Sequence, residues 1–413
     1  MSMKNIRIII RVGSLFFLYL VLLTSCRKDD ERPDYSYFIS KEFAISYKTG
    51  YINNLLDIAS GTYPEIDDLK PFVSSDVNVY KVIYNTNIND KDITASGLVC
   101  VPTTSGEYPV LCFQNGTNTV NSSAPSEYVI SPLYQLVEII ASLGYIVVIP
   151  DYPGFGESAQ VAHPYLVAGP TVGSIVDMLF AVKELGISEL PGITIKNEFY
   201  LLGYSQGGWA TLALHKALEQ EYPDDFDLQG SACGAGPYNL SLLFQSMVNV
   251  SSYPMPVYIG YIINAYKAYN QFTNPVTDIL KEPYASRLSS LYTGTLSSDQ
   301  INNQLTTSIP DLFNSGFITG FASAQQYASV REALVKNSVT AWNTKKPLYL
   351  LHGEMDTHVN VLTTENIYDS MIQAGTSSQT CIKEIIPGAD HGDGLVPCMT
   401  KGLMFLINLG NPK

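Results

Sequence analysis

A chain of 413 residues with 46% hydrophobic and 15% charged residues is long enough for one large domain or two ordinary ones, each with a real core. Its 24 Lys and Arg against 38 Asp and Glu give a net charge of −14 with no basic stripe, which excludes nucleic acid as a partner class. Six cysteines without CxxC or Cys/His ligand spacing exclude a disulfide scaffold and a structural metal centre, and nothing in the sequence asks for a cofactor.

Residues 1–25 carry Lys4, Arg7 and Arg11, then an apolar run from Leu15 to Leu23, then the small residues Thr24 and Ser25. That is the basic, apolar and cleavage regions of a signal peptide. The run is shorter than the roughly 20 residues that span a bilayer, so a permanent membrane helix is not expected. Leu23-Thr24-Ser25-Cys26 resembles the bacterial lipobox, and the resemblance implies that Cys26 becomes the lipidated first residue of the mature chain and anchors it to a membrane. Arg27-Lys28-Asp29-Asp30-Glu31 reads by itself as a solvated tether. It also resembles the Lys-acidic-acidic signal that takes lipoproteins to the cell surface in one group of Gram-negative bacteria. The implied location is the outer membrane, and the sequence does not choose between its periplasmic and its outward-facing side. Residues 26–75 form the tether and an N-terminal extension, in which only a helix over 48–58 is readable.

The core is expected in two parts, over 76–237 and 346–413, interrupted by an insertion over 238–345. Strands over 77–84 and 93–101 flank the turn at Asn89-Asp90 and predict an antiparallel hairpin. A strand over 108–113, a helix over 133–143, a continuous apolar strand over 145–150 and a helix over 172–185 follow, the alternation of a mostly parallel sheet covered on both faces. A strand over 199–202 runs into Gly203, a helix covers 206–219, and another strand covers 228–233. From 238 to 345 the alternation stops, and helical apolar spacing with many Tyr, Asn, Ser and Leu predicts a helical cap. The pattern resumes with strands over 347–351 and 381–386 and helices over 362–374 and 394–409.

Gly203-Tyr204-Ser205-Gln206-Gly207 matches GxSxG, and a strand ends where it begins while a helix starts at Gln206. A serine hydroxyl is a poor nucleophile unless a histidine removes its proton and a carboxylate orients that histidine. Of the five histidines, His163 follows a loop, His215 lies inside the helix after Ser205, His352 ends a strand and His358 follows the next loop. His391, in the loop after the last strand, stands where the order Ser, acid, His requires the base. The acid belongs in the loop after the preceding strand, where HGxxDxxV spacing favours Asp356 over its rival Glu354. Asp390 and Asp393 are read as caps for the final helix. Two backbone donors are needed for an oxyanion: one from Gln206, the other from Asn115, Gly116 or Thr117, among which the sequence does not choose.

Phe113-Gln114-Asn115-Gly116-Thr117, Asp151-Tyr152-Pro153-Gly154-Phe155-Gly156, Gly203-Tyr204-Ser205-Gln206-Gly207-Gly208 and the pair Asp356 with His391 occur in this order over residues 110–400. Together they resemble an α/β hydrolase of the secretory lipase type. Relatives often carry His-Gly where this chain has Asn115-Gly116, which leaves the second oxyanion donor open. The Asp151 to Gly156 stretch reads as a structural loop.

The function these features support is a serine esterase or lipase acting on a small-molecule ester through an acyl-enzyme. A peptidase of the prolyl oligopeptidase type is the rival within enzymes, although the residues before the first sheet strand are too few for its propeller. An inactive surface-binding protein on the same fold is the rival outside them. Cys100 and Cys112 read as buried thiols, whereas a bridge between Cys381 and Cys398, which bracket His391, would brace its loop. Tyr253, Tyr258, Tyr261, Tyr266 and Tyr269 recur at spacings that share a helical face, either packing the cap onto the core or walling a substrate pocket.

Overall fold

The computed structural model describes residues 35–410. The expected signal peptide, Cys26 and the charged tether lie outside these residues. Nine strands form one sheet in the order β1-β2-β3-β5-β4-β6-β7-β8-β9. They are β1 (Phe38–Tyr47), β2 (Val77–Ile88), β3 (Lys91–Pro102), β4 (Gly106–Gln114), β5 (Ile146–Pro150), β6 (Ile193–Tyr204), β7 (Asp227–Gly234), β8 (Leu348–Gly353) and β9 (Cys381–Ile386). The expected hairpin is β2 and β3, paired antiparallel, with Ile88 opposite Lys91. Asn89 and Asp90 both take positive φ (51° and 61°), the backbone that a two-residue hairpin turn needs and that Asn and Asp tolerate. From β5 to β9 every pairing is parallel.

The main helices are α1 (Thr49–Ser60), α2 (Pro132–Glu138), α3 (Ala168–Ser188), α4 (Gln206–Gln220), α5 (Leu240–Val248), α6 (Pro256–Ala268), α7 (Tyr284–Leu291), α8 (Ala328–Asn337), α9 (Leu362–Gln373) and α10 (Leu395–Gly410). One apolar cluster joins α1, α2 and α10 to alternate residues of the central strands, among them Leu111, Phe113, Val147, Ile149 and Leu202. The period-two choice of Leu111 with Phe113 and Val147 with Ile149 is what a sheet covered by helices requires. Helices α5 to α8 all lie between β7 and β8, over the residues where the alternation stops.

Two expectations are corrected, and one strand was not anticipated. The helix over 133–143 is α2 followed by a 3-10 turn, Ile139–Leu143, which ends at Gly144 with φ 99°. Strand β1 was not readable, because it is an edge strand with two register irregularities and exposed Ile39 and Phe43 beside Lys41 and Glu42. Its extended conformation is supplied by its pairing with β2. Cys381 and Cys398 are separate buried thiols, as are Cys100, Cys112 and Cys233, so no bridge braces the His391 loop.

Candidate active site

Strand β6 ends at Tyr204, and Ser205 turns the chain into α4 with φ 60° and ψ −125°. A non-glycine residue in this region stores strain, and here it is held by its N–H donating to Gly234 O of β7 at 2.9 Å. The turn lifts the Ser205 side chain above the carboxyl end of the sheet, where open α/β sheets bind ligands. Ser205 Oγ donates to His391 Nε2 at 2.9 Å, and His391 Nδ1 donates to Asp356 Oδ2 at 2.6 Å. Residues 186 and 35 positions apart are thereby joined in one hydrogen-bonded line. The carboxylate can only accept, so the His391 proton sits on Nδ1 and Nε2 is free to take one from the hydroxyl.

Asp356 is fixed by more than His391. Its other oxygen accepts the N–H groups of His358 (2.9 Å) and Val359 (2.8 Å), which gives the HGxxDxxV spacing a physical meaning. Buried His352 faces Asp356 Oδ2 at 3.2 Å through Nε2, which also donates to Val359 O at 2.9 Å. Its Nδ1 meets the Thr364 hydroxyl at 2.6 Å. Burial by itself would raise the Asp356 carboxyl, but bonds from His352, His391 and Val359 outweigh it and hold the group well below the ordinary carboxylate range. Sequence reasoning placed His352 only at a strand end; its place as a second support for the Asp356 carboxylate needed the fold. Glu354 is exposed and accepts from Gly388 N at 2.9 Å, so it serves the start of the His391 loop and not the ring. Asp390 accepts from Gly392 and Asp393 N–H at 2.8 Å each, capping the turn that leads into α10. Tyr204 OH donates to His391 O at 2.7 Å, a further tether that the x of GxSxG conceals.

Gln206 is the first residue of α4, so its N–H has no carbonyl inside the helix to bind. Gly116 lies opposite: a Cβ built there would stand 4.0 Å from Ser205 Cβ, close enough that the 115–117 loop borders the Ser205 side chain. The Asp151 to Gly156 loop is structural. Buried Asp151 accepts Ser96 Oγ (2.5 Å), Ser126 Oγ (2.6 Å) and Ser126 N (2.8 Å). His215 is buried in contact with Ser231, Thr344 and Glu219.

The insert reaches this edge through its tyrosines. Tyr253, Tyr261, Tyr266 and Tyr269 donate their hydroxyls to the carbonyls of His358 (2.8 Å), Asn118 (3.2 Å), Leu166 (3.2 Å) and Ala162 (2.7 Å). These four pack the insert onto the core. Tyr258 differs: its hydroxyl has no partner among the described residues, and its ring stands edge-on to His358 at 6.1 Å, itself 5.1 Å from the His391 ring. A cavity of about 390 Å³ opens between Met247, Val250 and Tyr253 of the insert and Asp356, Thr357 and His358. An apolar cavity of about 90 Å³, lined by Leu56, Phe113, Val137, Leu202 and Met399, lies under α1, α2 and α10 and includes none of the three aligned residues.

A serine on a strained strand-to-helix turn, a histidine after the last strand and an acid after the one before it, on a mostly parallel nine-stranded sheet, define an α/β-hydrolase fold. The chain belongs to the secretory lipase family, whose model matches residues 128–406. A provisionally assigned hydrolase from Legionella pneumophila is 25% identical with a TM-score of 0.81, covering 91% of this chain and 99% of that one. The rice cell wall degrading esterase LipA of Xanthomonas oryzae is 24% identical with a TM-score of 0.76, covering 92% and 98%. Candida antarctica lipase A in its closed state, 15% identical with a TM-score of 0.66 over 94% and 87%, shares the fold. Among curated protein sequences none matches this chain. Family and fold make the protein an ester hydrolase of the lipase and esterase kind, from a family described as secretory. Among the described residues no helix is long and apolar enough to cross a membrane.

Proposed function

We propose that the protein cleaves carboxylic esters through an acyl-enzyme formed on Ser205. His391 Nε2 takes the hydroxyl proton as Oγ attacks the ester carbonyl, and Asp356 holds the imidazole and balances its positive charge. The tetrahedral oxyanion is received by the Gln206 N–H and one N–H of the Asn115-Gly116-Thr117 loop. His391 returns the proton to the departing alcohol, and a water deprotonated by His391 releases the acid. The observation that carries this reading is the line from Ser205 Oγ through His391 to Asp356, at 2.9 and 2.6 Å. A fluorophosphonate should label Ser205, and Ser205→Ala should lose both labelling and about 10⁴-fold or more of kcat. Ester hydrolysis by Ser205→Ala near the parental rate would refute the reading.

The insert over 238–345 is the cap that bounds the substrate site, a reading supported by Tyr253 on the His358 carbonyl and by the apolar and phenolic side chains beside Asp356. A small or medium acyl or aromatic ester fits such a wall. Activity across p-nitrophenyl esters of rising chain length should fall at a length that shifts when the insert is shortened. At the other end of the chain, residues 1–25 act as a signal peptide and Cys26 carries the lipid that places the enzyme on the outer membrane, supported by the Leu23 to Cys26 pattern. Labelled palmitate should enter the parental chain and not Cys26→Ala.

A further inference from the structure

The side chain of Gln206 is committed away from the chemistry that its N–H serves. Its Nε2 donates to His163 Nε2 at 2.9 Å. On the other side of that ring, Nδ1 faces the Pro153 carbonyl at 2.8 Å, an atom that can only accept. The proton therefore sits on Nδ1, and Nε2 is left as the acceptor that the Gln206 amide needs. The ring is enclosed by Tyr152, Phe155, Tyr165 and Tyr261, with centroids 5.9, 4.9, 6.1 and 5.5 Å away. Burial lowers the His163 pKa to about 4, so the neutral acceptor form persists through the neutral range. Gly154, at φ 93°, lets the loop close on it: a Cβ there would lie 2.6 Å from His163 Cα and N.

The same aromatic rings hold the other loop beside Ser205. Tyr152 OH donates to Asn115 O at 3.2 Å, and the Tyr165 and Thr117 hydroxyls pair at 2.9 Å. His163 thus stands where both loops that border the nucleophile are tied together. Gln206 Oε1 is buried without a partner, so the bond to His163 is the side chain's only anchor among the described residues. Removing the acceptor would leave a buried amide wholly unpaired next to Ser205, and such groups move or draw in water.

We propose that His163 is a positioning residue for the hydrolysis: by holding the Gln206 side chain it fixes the direction of the Gln206 N–H toward the oxyanion. The inference rests on the reading that Ser205 is the nucleophile. Displacement of an oxyanion donor slows the step in which charge develops and leaves ground-state binding nearly untouched.

The test uses the full chain with a p-nitrophenyl ester, comparing His163→Phe, which keeps a flat ring, His163→Gln, which keeps an acceptor, Gln206→Met, and the double variant His163→Phe/Gln206→Met. His163→Phe and Gln206→Met should each lose about 10- to 100-fold in kcat with KM within about threefold. The double variant should be no slower than the slower single one, because both break one bond. His163→Gln should recover to within about fivefold of the parent, and a boronic acid that mimics the tetrahedral adduct should bind the slow variants more weakly by the factor lost in kcat. If His163→Phe fails to fold, His163→Gln against Gln206→Met decides alone. Unchanged kcat in Gln206→Met, additive losses in the double variant, or a loss expressed in KM would overturn the proposal. Ser205→Ala in the same panel separates the failures: if it stays active the nucleophile reading falls with this inference, and if it is dead only the inference falls.

Discussion

Along the parallel strands, Leu111, Cys112, Val147, Val148, Leu201 and Leu202 are buried on both faces of the sheet, and the aligned side chains sit where those strands end. The insert between β7 and β8 is built differently. Its own centre is an aromatic cluster of Phe244, Phe313, Phe317, Phe321 and Tyr327, and it meets the core through tyrosine hydroxyls on the carbonyls of His358, Asn118, Leu166 and Ala162. Those carbonyls belong to loops that follow β8, β4 and β5, the loops that border Ser205. The sheet places atoms by covalent geometry and close backbone packing, which tolerate no slack. The insert is placed by individual hydrogen bonds, each worth about 1 kcal/mol and separately removable.

The sharpest way to break this comparison is at the acid. Asp356→Asn should lower kcat by about 10³- to 10⁴-fold, because an amide holds His391 in the wrong tautomer, while Glu354→Gln stays within about twofold. Equal losses in steady-state kinetics would mean that the strand-end geometry does not select the acid. Next comes backbone packing at the elbow. A Cβ on Gly207 would lie 1.9 Å from the backbone oxygen of Gln114, so Gly207→Ala should cost several kcal/mol or prevent folding, whereas Gly260→Ala in the insert meets only side chains, Tyr292 and Leu288, and should cost clearly less. Urea unfolding of the two variants measures the difference.

A third effect belongs to the sheet's covered face. Burial raises the Glu138 carboxyl to about 7 against a smaller lowering from the nearby Tyr47 hydroxyl, and among the described residues neither oxygen has a partner within hydrogen-bond geometry. The folded state then holds a proton that the unfolded state releases near 4.5, so stability is fullest below that pH and falls as pH rises toward about 7. The loss is on the order of 3 kcal/mol at most, and Glu138→Gln should flatten it in unfolding midpoints taken from pH 4 to 8. The smallest effects lie at the insert: Tyr253→Phe, Tyr261→Phe, Tyr266→Phe and Tyr269→Phe should each destabilise by about 1 kcal/mol. Tyr258→Phe, which breaks no such bond, should leave stability unchanged and act only on KM. If the four docking variants are as silent as Tyr258→Phe, the insert is held by apolar contact alone.

Local pattern carried much of the site. Strand-ending apolar runs before Ser205, Asp356 and His391, with Gly203 and Gly207 around the serine, were legible because parallel strands buried on both faces leave an unbroken hydrophobic signature. Asn89-Asp90 announced its hairpin because few residues accept positive φ. Strand β1 was silent, since an edge strand takes its conformation from its neighbour and needs no alternation of its own. The cysteines misled in one respect: nearness along the chain at 381 and 398 says nothing about the direction in which two side chains leave a strand and a helix.

By itself the sequence determined the alternation of strands and helices, the stretch where it lapses and the positions of Ser205, Asp356 and His391 just after strand ends, because these depend on periodicity and on glycines whose demands are local. Only the tertiary structure decided that His352 braces Asp356, that His163 holds Gln206, that Tyr204 fastens His391 and that four of the five tyrosines from Tyr253 to Tyr269 face carbonyls of the core. Each of those is a hydrogen bond between segments distant in sequence, or a side chain whose direction is set by what packs against it. Hydrophobic pattern is blind to such bonds, since a buried polar atom finds its partner in the folded interior, where leaving it unpaired costs the most.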